Sequence, residues 1–385
     1  MNKKNTKLKF IDLFAGCGGF SEGFYKEGFK SLVHVDFDKS ACLTLKERMK
    51  HYKYSEDEIE NTVICGDLTK KEINKKIDDL IKKNKVDVVV GGPPCQSFST
   101  VGRAQDPNSM KNDPRNYLFH NYLNILEKFR PKVFVFENVS GILSAKPNGK
   151  LIFPEIIKEM SKHYDVCDDK DVILLNSVEY GVPQIRKRVI IIGVRKDLNF
   201  KAKDIYKNIR KTHYSPEMEI KSTTKGLLKY VTVNDAISDL PKLFPGEGFS
   251  EINYKLNKLN SYLKKIRNPD FTKLYNHEAR NHNSADRERY QLLSRNEWQL
   301  RHLAEVRPDL VHHDPKHFGN RYTVQKKNMP GTTVVAHLYK DGNLFIHPDP
   351  NQERTGMMKA MHGMNRISLI VFLIGIIVIL VRKFL

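Results

Sequence analysis

The segment Gly91-Gly92-Pro93-Pro94-Cys95-Gln96-Ser97-Phe98-Ser99 places a cysteine where packing does not explain it. The run before it, Val86-Asp87-Val88-Val89-Val90, has the composition of a strand buried on both faces. Two glycines and two prolines end that strand and stiffen the loop beyond it. The Cys95 thiol is thereby held at the carboxyl edge of a sheet, the edge at which open α/β folds bind ligands. A soft nucleophile held there points to covalent catalysis. The other cysteines, Cys17, Cys42, Cys65 and Cys167, read as inert structural residues. No C-x-x-C pair occurs and the total of five is odd, which argues against a disulfide framework. The start, Met1 to Lys9, is polar and basic with no apolar signal core, and together these features imply a reducing cytoplasm.

Three further constellations could act with Cys95. Phe14-Ala15-Gly16-Cys17-Gly18-Gly19-Phe20 sits at a strand-to-helix turn, where the expected strand Lys9–Phe14 breaks at the glycines, and glycines there let a ligand approach the backbone. Asp36, with Phe37 beside it, comes about 20 residues later at the end of the next strand, where a carboxylate meets ribose hydroxyls. The spacing is not G-x-G-x-x-G, so a pyrophosphate cradle is not implied. An adenosine ligand without phosphates fits better, and S-adenosylmethionine is the obvious one. Gly66-Asp67-Leu68 ends the following strand and could meet the adenine. The expected cofactor set is Phe14, Gly16, Gly18, Gly19, Asp36, Phe37, Asp67, Leu68 and Pro93. Glu137 emerges from the apolar strand Val133-Phe134-Val135-Phe136; partial desolvation would raise its pKa and let it donate a hydrogen bond to a ring nitrogen. Gln184-Ile185-Arg186-Lys187-Arg188 precedes another strand, and alternation would put Gln184, Arg186 and Arg188 on one side. Guanidinium forks suit phosphate or a base carbonyl. Each segment alone also has a plain reading as a tight turn, a capping carboxylate or a charged edge strand; the ordered set favours chemistry.

The elements that must position these groups alternate. Strands are expected at Leu32–Val35, Thr62–Cys65, Val86–Val90, Lys132–Phe136, Val172–Leu175 and Arg188–Val194, with helices such as Phe20–Gly28, Tyr117–Phe129 and Pro154–His163 between them. This predicts an α/β fold with a doubly wound, mostly parallel sheet. Beyond residue 196 the chain turns rich in Lys, Asn, Tyr and His with weak periodicity, which reads as a smaller irregular domain. Its aromatics, among them Tyr206, Tyr230, Tyr254, Tyr275 and Tyr322, suit a DNA-facing surface or an ordinary small core. The formal net charge of +20 over 385 residues favours a polyanionic partner.

In order and context, DLFAGCGGFS from Asp12, GGPPCQSFS from Gly91, ENV from Glu137 and QIRKR from Gln184 resemble the C5-cytosine DNA methyltransferase family. Pro330-Gly331-Thr332-Thr333, Asp341-Gly342 and His347-Pro348-Asp349-Pro350 are similar to that family's exit from its target-recognition domain. The resemblance covers roughly residues 8 to 355. It implies a Rossmann-like cofactor-binding catalytic domain over 1–196, a target-recognition domain over 197–335, a return to the catalytic domain over 336–355 and an atypical apolar tail over 356–385. It also implies methyl transfer from S-adenosylmethionine, without a metal, to C5 of a flipped cytosine in double-stranded DNA. Cys95 would attack C6, Glu137 would bond N3, and Arg188 would steady the base with Arg186 and Gln184 shaping the pocket. A lid through Ser97, Ser99, Gly102 and Arg103 would close over it. Such enzymes serve restriction–modification systems, so a cognate endonuclease is an expected functional partner.

Rival readings lack their marks. A tRNA methyltransferase of this fold would carry a Cys-Phe-Thr signature, and an amino-methyltransferase an Asp/Ser-Pro-Pro-Tyr/Trp loop. A zinc site from His312, His313, His317, His337 and His347 would lack both a cysteine pair and H-E-x-x-H. The rival of another class is a DNA-binding relative without activity, or one that needs a second chain. The family's closing helices are not matched after Gly356, where the apolar run Ile367–Val381 falls short of the ~20 residues of a usual membrane span. Out-of-frame sequence after a truncation is the expected origin of that tail, a membrane contact the less favoured one.

Overall fold

The computed structural model describes residues 7–82, 84–94, 118–255, 259–270, 272–279, 281–297, 299–311, 322–334 and 346–349. Cys95, the expected lid, Trp298, His312, His313, His317, His337 and the apolar tail lie outside the described residues. Contacts divide the chain into two units. The first comprises residues up to Asn176 together with Lys187–Arg210, and the second Ser177–Arg186 with the described residues from Lys211 onward.

The first unit is built on a sheet of eight strands: β1 (Lys9–Leu13), β2 (Lys30–Asp36), β3 (Val63–Cys65), β4 (Val88–Gly91), β5 (Val133–Val139), β6 (Tyr164–Val166), β7 (Leu174–Asn176) and β8 (Lys187–Arg195). Their order is β3-β2-β1-β4-β5-β8-β6, with β7 also on β8. The first five are parallel, while β8 runs antiparallel to β5, β6 and β7. Phe10, Ile11 and Leu13 of β1 and Val88, Val89 and Val90 of β4 are wholly buried, which explains the near-continuous apolar runs. Helices α1 (Gly19–Lys26), α2 (Lys39–His51), α3 (Glu56–Thr62), α4 (Lys71–Ile81), α5 (Leu118–Phe129) and α6 (Ile152–Met160) lie between the strands in sequence. α4 buries Ile73, Ile77 and Ile81, spaced four apart on one face.

Strand order decides where chemistry can occur. From β1 the chain builds outward through β2 and β3, then returns to place β4 on the other flank of β1. That reversal leaves a crevice at the carboxyl ends of β1 and β4, where Leu13 is in register with Gly91. The register of Gly91 with Phe136 then sets Glu137 beside Gly92. The glycine turn, the Pro-Pro loop and Glu137 are thus brought to one edge by three neighbouring strands.

Three expectations change. Glu137 lies inside β5 rather than after it, because pairing with β8 continues through Glu137–Ile190, Asn138–Val189 and Val139–Arg188. The expected strand Val172–Leu175 is a short helix, α7 (Lys170–Ile173), followed by β7; Asp169 caps it by accepting from the Asp171 amide at 3.1 Å. Tyr206, counted among possible DNA-facing aromatics, is buried in the first unit on α8 (Ala202–Asn208), accepting from Ile192 N and donating to Ile190 O. In the second unit, Leu293, Leu300, Leu303, Leu310, Tyr322 and Ile346 form a separate apolar cluster, and an antiparallel ribbon joins Gly248–Asn253 to Lys273–Glu278.

A polar network is buried beneath the glycine turn. Ser21 Oγ of α1 donates to Asp12 Oδ2 of β1 at 2.5 Å and lies 3.2 Å from His34 Nδ1 of β2. His34 Nε2 meets the Tyr25 hydroxyl at 2.7 Å. Asp12, Ser21 and His34 have no solvent exposure. Burial pushes the Asp12 carboxyl up to about 7 and the His34 imidazole down to about 3, so both are neutral between those two values. Folded Asp12 therefore binds its proton more tightly than the unfolded chain does, and stability declines as pH rises from about 3.8 to about 7. Asp12→Asn keeps an acceptor for Ser21 and removes this titration. Thermal denaturation should show the variant gaining on the wild type from pH 5 to pH 8. A difference that does not vary with pH would contradict a neutral Asp12.

Candidate active site

The turn after β1 is built from left-handed backbone. Phe14, Gly16 and Gly18 have φ of 58°, 55° and 81°, and Phe14 tolerates this only because its surroundings hold it there. Gly16 N donates to Asp36 Oδ2 at 2.7 Å, and Asp38 N donates to Asp36 Oδ1 at 2.9 Å. From below, Arg48 of α2 donates Nε to Cys17 O at 3.0 Å and pairs with Glu22 of α1 at 2.6 Å. Opposite neighbouring charges and the Tyr52 hydroxyl outweigh burial and hold Glu22 below its ordinary range. A β-carbon on Gly18 would lie 2.6 Å from Leu45 Cδ1, whereas one on Gly16 would meet nothing within 4 Å.

This turn, the start of α2 and the ends of β4 and β5 enclose a cleft of about 580 Å³. Its walls are Phe14 to Cys17, Gly19, Phe20, Asp36, Asp38, Ser40, Ala41, Thr44, Gly92 and Glu137. Asp36, Asp38 and Glu137 give the lining three carboxyl groups, and among the described residues no lysine or arginine is part of it. That charge balance suits a cationic ligand and opposes a pyrophosphate. Each Asp36 oxygen accepts one backbone N–H and retains capacity for a hydroxyl group. Glu137 Oε1 pairs with Arg188 Nε at 2.8 Å, and both side chains are largely buried. A β-carbon on Gly92 would approach Glu137 Oε2 to 2.8 Å, so a side chain there would displace this carboxylate from its pairing with Arg188.

The sequence profile of C-5 cytosine-specific DNA methylases matches residues 8–366. The chain belongs to this family. Type II methyltransferase M.Bpa9945I of Bacillus paralicheniformis is 32% identical, over 90% of this chain and 87% of its own length. M.DdeI of Desulfomicrobium norvegicum is 33% identical, over 90% of this chain and 76% of its own. A crystal structure from E. coli, of a prophage-encoded protein assigned as a DNA modification methyltransferase, shares the fold with a TM-score of 0.63. It aligns over 96% of this chain and 98% of its own at 23% identity. The family match extends to residue 366, past the expected end of the resemblance at 355.

In this methylase the structure gathers Phe14, Gly16, Gly19, Asp36 and Glu137 around one cleft. Gly18 caps α1 behind the turn. Phe37 is 72% exposed, and neither it nor Asp67, Leu68 or Pro93 is part of the described lining. Asp67 closes its own turn by accepting from Thr69 N at 2.9 Å, and this bond holds its carboxyl below the ordinary range. Leu68 is buried, with its carbonyl accepting from Asn74 at 2.9 Å. Pro93 is buried and its carbonyl accepts from Asn138 at 3.4 Å. Of the three expected residues at 184–188, Arg188 lies in the first unit, on β8. Gln184 and Arg186 precede that strand, so alternation does not apply to them. In the second unit Gln184 bridges Gly331, and Arg186 Nη1 donates to Val334 O at 3.2 Å. Sequence reasoning missed Arg48 and the polar start of α2 at Asp38, Ser40 and Thr44; Asp38, as the N-cap accepting from Ala41 N at 2.8 Å, was the available signal.

Gly18→Ala combines a left-handed backbone with a clash, whereas Gly16→Ala meets only the backbone cost of roughly 1–2 kcal/mol. Thermal denaturation should therefore show a lower midpoint for Gly18→Ala than for Gly16→Ala. Equal midpoints would contradict the bracing of the turn by Leu45 and Arg48.

Proposed function

We propose that this methylase transfers a methyl group from S-adenosylmethionine to C5 of a cytosine in double-stranded DNA, as the modification enzyme of a type II restriction–modification system. The observation that carries this reading is the cleft itself: three carboxyl groups, no basic side chain among the described lining residues, and a wall that includes Gly92, three residues before Cys95. S-adenosylmethionine brings a sulfonium-activated methyl group, an ammonium group and an adenosine without phosphates. Asp36 would accept from its ribose hydroxyls, while Phe14 and Gly16 leave the turn's backbone open to it.

The protein's part is nucleophilic and electrostatic. C5 of cytosine is a poor nucleophile until a group adds to C6, and the Cys95 thiolate is the group proposed to add. Glu137 hydrogen-bonds N3 and draws charge from the ring as the bond to C6 forms. Arg188 keeps the Glu137 carboxyl oriented through its 2.8 Å pairing. C5, now enamine-like, would take the methyl group as the sulfonium S–CH3 bond breaks, leaving the thioether S-adenosylhomocysteine; transfer of the C5 proton to a base or solvent and expulsion of the Cys95 thiolate restore the aromatic ring. A cytosine stacked in a duplex cannot present C6 to a thiolate, so it is extruded first. Residues 197–335 carry the choice of target sequence, and within the second unit Gln184 and Arg186 are held by Gly331 and Val334. The same sites would be cut by a cognate endonuclease when unmodified. The activity is expected in the cytoplasm; among the described residues no helix is long and apolar enough to cross a membrane.

Incubation of the full chain with unmodified DNA and methyl-labelled S-adenosylmethionine, followed by base-resolution mapping, should show 5-methylcytosine at one recurring sequence. Cys95→Ala should reduce transfer to background. Asp36→Ala should raise the KM for S-adenosylmethionine by roughly tenfold to a hundredfold, the worth of one or two hydrogen bonds to a charged acceptor. Methylation of an exocyclic amine, or transfer that survives Cys95→Ala, would overturn the mechanism.

A further inference from the structure

Cys42 and Cys65 look like unrelated core residues in the sequence, but the fold brings them together at the border of the cofactor cleft. Cys42 is in the first turn of α2, is 3% exposed and donates its thiol to Asp36 O at 3.5 Å. Cys65 ends β3, is exposed, and donates to Phe37 O at 4.0 Å. The cause is register: Asp36 pairs with Cys65 across β2 and β3, and Gly66 N also donates to Asp36 O at 2.8 Å. The two acceptors are consecutive carbonyls, so both sulfurs converge on the same stretch of backbone. Both therefore hold the carbonyls of the two residues that turn from β2 into α2, where Asp36, Asp38, Ser40 and Ala41 line the cleft.

We propose that Cys42 and Cys65 are an oxidisable dithiol whose closure by a peroxide lowers the cleft's affinity for its cofactor; the affinity half of this rests on the reading of the cleft as the S-adenosylmethionine site. The exposed Cys65 thiolate attacks a peroxide oxygen and breaks the O–O bond, leaving a sulfenic acid and, for hydrogen peroxide, one water. Cys42 sulfur then attacks the sulfenic sulfur; its proton leaves with the expelled hydroxide as a second water. Two thiols lose two electrons and one peroxide gains them. Burial pushes the Cys42 thiol up to about 12, in keeping with Cys65 as the sulfur that meets the oxidant. Closure draws the sulfurs to a bond of about 2.05 Å. It withdraws both S–H donors from the Asp36 and Phe37 carbonyls and pulls the start of α2 toward the end of β3. Transient disulfides of this kind are the form that sensing takes in a reducing compartment.

The test uses the full chain with Cys95→Ser, so that the proposed nucleophile does not consume oxidant. After hydrogen peroxide and alkylation, peptide mass mapping should recover the Cys42 peptide linked to the Cys65 peptide. Calorimetric affinity for S-adenosylmethionine should fall at least tenfold and return with dithiothreitol. In Cys65→Ser, and separately in Cys42→Ala, affinity should no longer respond to peroxide. Absence of the linked peptide overturns the dithiol, and a linked peptide with unchanged affinity overturns its control of the cleft. Reduced protein that binds no S-adenosylmethionine would instead overturn the cleft reading and the affinity claim with it, while the peptide link is read without any cofactor.

Discussion

The hydrogen bond from Gly16 N to the Asp36 carboxylate, 2.7 Å long, joins the turn after β1 to the end of β2. Together with Ala15 N on Val35 O, Gly18 N on Ala15 O and Arg48 on Cys17 O, it holds a left-handed Phe14 and two left-handed glycines in one shape. With it, the turn stays open on the side facing the cleft, and Asp36 is oriented with accepting capacity left over. Asp38 N on the second oxygen of the same carboxylate then sets where α2 begins, and so where Ser40 and Thr44 enter the lining. One carboxylate thus organises turn, helix start and ligand surface.

Much of this is legible in the sequence because it depends on local residue chemistry. Glycines after an apolar strand, an acid at the end of the next strand and prolines after a third each announce a turn at a carboxyl edge. What is not legible depends on register between distant segments. Arg188 reaches Glu137 because β8 runs antiparallel to β5 in one particular alignment. Arg48 reaches Cys17 O across 31 residues, which no periodicity reveals. Cys42 and Cys65 read as inert in the sequence because their encounter needs the pairing of Asp36 with Cys65. Glu137 reads as lying beyond its strand because the apolar run ends at Phe136, although backbone pairing continues to Val139.

The Asp12, Ser21 and His34 network under the turn trades stability for position. An apolar residue at Asp12 would suit the centre of a sheet better, since a buried carboxyl resists ionisation. In exchange, β1, α1 and β2 are pinned to one another by directional bonds directly below the backbone that the ligand must approach. Packing by apolar side chains alone would leave that relation less sharply defined. The acidic lining would work the same way at longer range: Asp36 and Asp38 face the cleft and Glu137 is paired with Arg188, so the charge of the described lining favours a cation over a phosphate.

That discrimination is the central claim, and comparative calorimetry on the reduced full chain tests it most directly. S-adenosylmethionine should bind measurably more tightly than ATP or a nicotinamide dinucleotide, which share its adenosine but carry phosphates. Raising the salt concentration should weaken S-adenosylmethionine binding as the carboxylates are screened. Tighter binding of either phosphate-bearing ligand would contradict the account of the cleft.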